Sequence, residues 1–98
     1  MARVIGTDSA MDDLEGISRE IARESPQSAA NLVSRMFATT DHLTMFPKMG
    51  RLILNIQRDD VREIIVDNHR IVYVIEGDAV AILRVRHGAR PLGDIPGL

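Results

Sequence analysis

Between Val61 and Arg90, the stretch VREIIVDNHRIVYVIEGDAVAILRVRHGAR carries the groups best suited to chemistry: Arg62, Arg70, Arg84, Arg86, Arg90 and His87, with Arg51 just upstream. A guanidinium can grip a phosphate through two parallel hydrogen bonds, and an imidazole can give or take a proton near neutral pH. Together they could bind or cleave a phosphodiester. Arg70 is flanked by apolar strand residues and needs a carboxylate or phosphate partner there. His87 sits at a strand end and is the candidate proton-transfer group. The plainer reading makes these residues a solvated rim, with Arg62 in a surface ion pair to Glu63 or Asp60. His42 and His69 read as surface groups, and Tyr73 as a core residue with its hydroxyl at an edge.

Other chemistries find little support. There is no cysteine, and three scattered histidines do not make a zinc site, so neither metal nor cofactor is expected. No phosphate-cradling glycine loop or nucleophile elbow occurs. Asp12-Asp13 and Asp59-Asp60 are paired only in sequence, because adjacent residues on a helix or strand point apart.

The elements that must position the arginines and histidines can be read from the pattern of apolar residues. Three Val- and Ile-rich runs, Val61 to Val66, Arg70 to Ile75 and Ala79 to Val85, are separated by Asp67-Asn68 and Gly77-Asp78, which is hairpin-turn chemistry. If both turns are two-residue hairpins, Val66 pairs with His69 and Glu76 with Ala79. Period-2 alternation then puts Val61, Glu63, Ile65, Arg70, Val72, Val74, Ala81, Leu83 and Val85 on one face, with His87 at its end. On that face Arg70 lies opposite Val85 and diagonal to His87. The other face, with Arg62, Ile64, Val66, His69, Ile71, Tyr73, Ile75, Val80, Ile82, Arg84 and Arg86, is the more apolar over its middle. It is the better candidate to receive helices. A slip of one residue would undo the pairing of Arg70 with His87.

Upstream, Arg3 to Gly6 predicts a short first strand. Thr7, Asp8 and Ser9 offer N-cap oxygens, and Ser9 with Asp12 resembles a capping box, for a helix from about Ala10 to Glu24 with Ala10, Leu14, Ile17 and Ile21 inward. Ser25-Pro26 starts a second helix that runs to about Met45, with Ala29, Val33, Met36, Phe37, Thr40 and Leu43 inward and Phe46-Pro47 as its stop. The short link predicts an antiparallel helical hairpin. Arg51 to Ile56 predicts another short strand, and Pro91 to Leu98 an irregular or frayed tail.

At 98 residues, 45% hydrophobic and 27% charged, the chain has room for one modest core, so a single α+β domain spanning residues 1–98 is expected. A net charge of -2 and a pI near 5.8 argue against a protein that coats itself in nucleic acid. The first half, Met1 to Met49, carries five basic and seven acidic residues; Gly50 to Arg90 carries seven arginines and six acids. Any anion site must therefore be local. No apolar run is long enough for a membrane helix and the N-terminus does not resemble a signal peptide, so a cytoplasmic protein is expected.

The order strand, helical hairpin, antiparallel sheet, together with particular residues, resembles the RelE/ParE family of toxins from bacterial type II toxin-antitoxin systems, over roughly Asp8 to Leu92. The residues that carry the resemblance are Asp13-Leu14-x-x-Ile17, Phe46-Pro47-Lys48-Met49-Gly50-Arg51, Arg62-Glu63-Ile64, Arg70-Ile71-Val72-Tyr73, and Ile82-Leu83-Arg84-Val85-x-His87-Gly88-Ala89-Arg90. The resemblance implies an N-terminal strand and an antiparallel two-helix hairpin on a small, mainly antiparallel sheet. It also implies a toxin neutralised by a cognate antitoxin in a hetero-oligomer.

Two activities exist within the family. RelE-like members cleave mRNA in the ribosome, whereas ParE-like members poison DNA gyrase. By resemblance, Arg70 matches a strand arginine that assists RNA cleavage, and His87 a strand-end histidine used by some nucleases. Arg51, Arg62, Arg84, Arg86 and Arg90 would be target- or phosphate-binding. Against a nuclease stand the single lysine, Lys48, the lack of a tyrosine near the C-terminus and the acidic pI. The Phe-Pro-x-Met-Gly-Arg and His-Gly-Ala-Arg stretches look ParE-like, while His69 stands where an aromatic Tyr is common. The expectation is a gyrase inhibitor rather than an enzyme, with a ribosome-dependent endoribonuclease and an inactive, antitoxin-binding homologue as alternatives.

Overall fold

A computed structural model describes residues 1–98. The elements are β1 (Arg3–Gly6), α1 (Asp8–Ala22), α2 (Pro26–Asp41), β2 (Arg51–Leu52), β3 (Val61–Val66), β4 (His69–Glu76) and β5 (Ala79–His87), with 3-10 turns at His42–Thr44 and Pro47–Met49. The strands form one mixed sheet in the order β1-β5-β4-β3-β2. Only β1 runs parallel to its neighbour, β5; the remaining pairs are antiparallel. The expected α+β architecture, a helical hairpin on a mainly antiparallel sheet, is what the chain adopts.

Both hairpins have the expected two-residue turns, with Val66 paired to His69 and Glu76 to Ala79. Asp67 and Gly77 open them at φ values of 53° and 61°, a left-handed conformation that Gly adopts freely and Asp tolerates. The helices cover the face carrying Val66, Ile71, Tyr73, Val80 and Ile82, and Ala10, Leu32, Met36 and Leu43 pack into the same core. On the opposite face Ile53, Val61, Val72, Val74 and Leu83 form a second cluster, against which Leu92 and Ile95 of the irregular tail are packed.

Helix α1 begins two residues earlier than the pattern predicted. Thr7, not Ser9, is its cap: the hydroxyl accepts from the Ala10 N–H at 3.3 Å and donates to the Ile82 carbonyl at 2.7 Å, so one side chain starts the helix and ties it to β5. For α2 the Ser25 cap and Pro26 are as read from sequence. The helix stops at Asp41 rather than Met45. Thr39, Thr40 and Thr44 each turn a hydroxyl back to a carbonyl three or four residues earlier, which competes with regular helical bonding and accompanies tightening into a 3-10 turn. The inner stripe of α2 is rotated toward Leu32, which is buried with Ala29 and Met36, while Phe37 is 54% exposed. The strand expected over Arg51 to Ile56 ends at Leu52, because Asn55 takes φ 74° in a turn closed by the Ile56 N–H to the Ile53 carbonyl.

The largest departure lies in β5. The predicted pairing holds from Glu76–Ala79 to Tyr73–Ile82 and then shifts by one, to Val72–Arg84, Ile71–Val85, Arg70–Arg86 and His69–His87. Leu83 is the extra residue of a β-bulge. An unbroken strand would send Arg84 and Arg86 under the helices and Val85 away from them. The bulge instead places Val85, 5% exposed, in the helix-side core.

Tyr73 fixes the segment after α2. It is fully buried, and its hydroxyl donates to the Pro47 carbonyl at 2.7 Å and accepts from the Gly50 N–H at 2.9 Å. Position 50 has to be Gly, since a Cβ there would sit 2.5 Å from the tyrosine oxygen and 2.8 Å from the Glu63 carbonyl. Replacing Tyr73 by Phe strands both backbone partners and should cost about 2 kcal/mol. Urea unfolding of the variant against wild type measures it, and an unchanged midpoint would contradict this role for the hydroxyl.

Candidate functional site

Ten of the twelve Lys and Arg residues are engaged with carboxylates of the chain itself. The expected site residues divide accordingly into those paired within the chain and those that are not. Arg70 donates its Nε to Glu63 Oε1 at 2.6 Å, and Arg51 donates its Nε to Glu63 Oε2 at 3.0 Å. Glu63 is the one buried charged residue, 4% exposed, and a carboxylate so placed requires such partners. The strand geometry brings the three together: Arg51 is the register partner of Glu63, and Arg70 lies diagonally across on β4.

Arg62 clamps a loop rather than facing outward. Its guanidinium donates to the carbonyls of Lys48, Gly50 and Asp59 and to the Asp59 carboxylate. The partner expected for it, Glu63 or Asp60, is engaged by other arginines instead. Arg84 donates Nε and Nη2 to the two oxygens of Asp13, at 2.9 and 3.2 Å, and Nη1 to the Asp94 carbonyl. Asp13 also accepts the Val85 N–H at 3.0 Å. Beyond Ile82, where β1 has ended, that edge of β5 has no strand to bond, and Asp13 of α1 takes the place of one.

Arg86 and Arg90 are left without a carboxylate. Arg86 is half-buried, and its Nε has no hydrogen-bond partner within the chain. Both line a hollow of about 620 Å³ between α1 and the end of β5, together with His69, His87, Asp12, Asp13 and Glu20. The His69 and His87 rings meet edge to face with centroids 5.3 Å apart. His69 Nδ1 is buried without a partner, and His87 Nδ1 accepts from the Ala89 N–H at 3.2 Å. Burial, with the neighbouring His87, holds the His69 pKa below the usual imidazole value, against a weaker opposing pull from Asp67. The expected meeting of His87 with Arg70 does not occur. The bulge turns His87 to His69 and gives Arg70 the register partner Arg86.

Chemically, the hollow offers two cations and two imidazoles beside three carboxylates. The residues that sequence reasoning missed here are Glu63, Asp13 and His69. Glu63 had a visible signal, the one acid among Val61, Ile65, Val72, Val74 and Leu83 on its face of the sheet.

Two solved structures share this architecture. The toxin-antitoxin system ParDE of P. aeruginosa contains a chain that superposes with a TM-score of 0.71 at 20% identity, covering 89% of this chain and 96% of that one. The RelBE2 toxin-antitoxin complex of Mycobacterium tuberculosis gives 0.57 at 24% identity, over 88% and 96%. In sequence, the toxin RelE2 of Caulobacter vibrioides is 34% identical over 90 residues, 92% of this chain and 99% of that protein. The fold and these relatives define the class, toxins of the ParE/RelE superfamily from type II toxin-antitoxin systems. A profile described as ParE toxin of type II toxin-antitoxin system, parDE, matches residues 4–92, and the chain belongs to that family. The motif residues that carried the resemblance are in large part structural: Asp13 bonds the free edge of β5 at Val85, Pro47 and Gly50 hold Tyr73, and Arg62 holds the loop after α2.

The linkage of Asp13 to stability has a definite sign. Burial pulls its pKa up, but the hydrogen bonds from Arg84 and Val85 and the charges of Arg84 and Arg86 together leave it below the ordinary 3.8. A depressed carboxylate contributes stability that is fully present above its unfolded value and is lost as the pH falls through the folded one. Asp13→Asn should therefore lower the melting temperature at pH 6, and the gap to wild type should close as the pH is taken below about 4. A gap that is constant from pH 6 to pH 2 would exclude the ion pair as its origin.

Proposed function

We propose that this chain arrests growth by engaging DNA gyrase, rather than by cutting mRNA, and that a cognate antitoxin neutralises it. The observation that carries this reading is the Arg70–Glu63 contact. Cleaving a phosphodiester needs an anion clamp and proton-transfer groups converging on one reacting centre. Here the arginine at the nuclease-like position is bound to a buried internal carboxylate, and His87 is turned away from it. Arg62 and Arg84 are likewise occupied, and Arg51, though exposed, gives its Nε to the same Glu63.

The antitoxin reading rests on a different surface. Between β1, α1 and α2 lies an apolar cavity of about 270 Å³ lined by Val4, Ala10, Met11, Leu14, Met36 and Phe37, and Met11 and Phe37 are 45% and 54% exposed at its rim. An apolar segment of a partner would cover it, and the two structural neighbours come from a toxin-antitoxin system and a toxin-antitoxin complex. No helix is long and apolar enough to cross a membrane. That is compatible with a cytoplasmic site of action.

One observation favours the second reading, a ribosome-dependent endoribonuclease: His69 and His87 lie together with Arg86 and Arg90, the two cations without a carboxylate. Asp12, Asp13 and Glu20 line the same hollow and repel a phosphate, which weighs against it.

Purified protein is expected to inhibit gyrase supercoiling and to leave mRNA on translating ribosomes intact. Ribosome-dependent cuts with untouched gyrase would reverse the assignment, and normal growth on expression without antitoxin would show an inactive homologue. Phe37→Asp should weaken antitoxin binding by at least about tenfold, roughly 1.4 kcal/mol, in a titration at fixed salt. Undiminished affinity would remove the groove from the interface.

A further inference from the structure

We infer that Glu63 is a selectivity residue, an internal carboxylate standing where a phosphate would bind between Arg51 and Arg70, so that this face of the sheet does not hold RNA. The inference rests on the reading that the chain does not cut RNA, and it supplies the physical reason. Both carboxylate oxygens are used, Oε1 by Arg70 and Oε2 by Arg51, and both bonds come from Nε, the donor at the root of each guanidinium. The arrangement is the one two arginines would form around a bound oxyanion, with the anion supplied by the chain.

Glu63 cannot step aside for a ligand. It lies on β3, between β2 and β4, with 4% exposure, beside the buried Val61 and Val72. An incoming phosphate would meet a fixed negative charge that is sheltered on the Arg70 side and open on the Arg51 side, and on the sheltered side repulsion is stronger than in water. The trio carries a net charge of about +1 rather than +2, which lowers the attraction for any polyanion as well. Lysine and tyrosine do not replace what is lost. Lys48 is bonded to Asp59, and the Tyr73 hydroxyl is buried against Pro47 and Gly50.

The test has two arms. In the first, Glu63→Gln keeps the shape and the hydrogen-bond acceptor while removing the charge. Its affinity for a fluorescein-labelled ten-nucleotide oligouridylate, read by anisotropy at low salt, should rise roughly tenfold over wild type. The gain should vanish in Glu63→Gln/Arg70→Ala. A folded Glu63→Gln protein that binds no more tightly than wild type overturns the inference. In the second arm, inorganic phosphate is titrated into the wild-type protein while the arginine Nε–H signals are followed by NMR. Arg51 and Arg70 should stay in place whether or not Arg86 and Arg90 move, and a phosphate-dependent shift of the first two overturns the inference. This arm decides the matter if Glu63→Gln fails to fold. Ribosome-dependent cutting by the wild type would sink the functional reading, whereas an oligonucleotide-blind Glu63→Gln would sink the inference alone.

Discussion

A single extra residue in β5, Leu83, sets the relation between the two ends of the sheet. Before it, β4 and β5 pair as an unbroken hairpin; after it every side chain of β5 is displaced by one position. Ile82 and Val85, three residues apart, both reach the helix-side core, which a strand of period two does not permit without a bulge. The bulge is stabilised from outside the sheet. Asp13 accepts the Val85 N–H and binds Arg84, so α1 holds the strand in its shifted register while the Thr7 hydroxyl holds the preceding stretch at Ile82.

The consequence is electrostatic. The shift separates His87 from Arg70, and Arg70 is taken up by Glu63. The isolated value of each surface ion pair is small. Collectively, however, the pairs determine what the protein can attract, since they leave Arg86 and Arg90 as the cations without a carboxylate, in a hollow that also contains acids. A surface organised in this way offers a polyanion few free cations, and a separate apolar rim is exposed at Met11 and Phe37.

Much of this fold was legible in the sequence for local reasons. Asp67-Asn68 and Gly77-Asp78 specify two-residue turns, Ser25-Pro26 specifies a helix start, and the spacing of Ala10, Leu14, Ile17 and Ile21 specifies the buried face of α1. The bulge was not read, although the spacing of Ile82 and Val85 carries its signal, and regular alternation placed two arginines on the face assigned to the helices. The site suffered most from that miss. One residue of register decides whether His87 meets Arg70 or His69, and no propensity reports register. Phe37 was assigned to the core by size and periodicity, but the stripe of α2 is centred on Leu32 and leaves it at a rim.

Nuclear Overhauser contacts in the isotope-labelled protein report whether the register shift takes His87 away from Arg70. Cross-strand contacts between Val72 and Arg84 and between Arg70 and Arg86, with the His87 ring against His69, are the predicted result. Contacts between Arg70 and Val85, with the His87 ring beside Arg70, would contradict it.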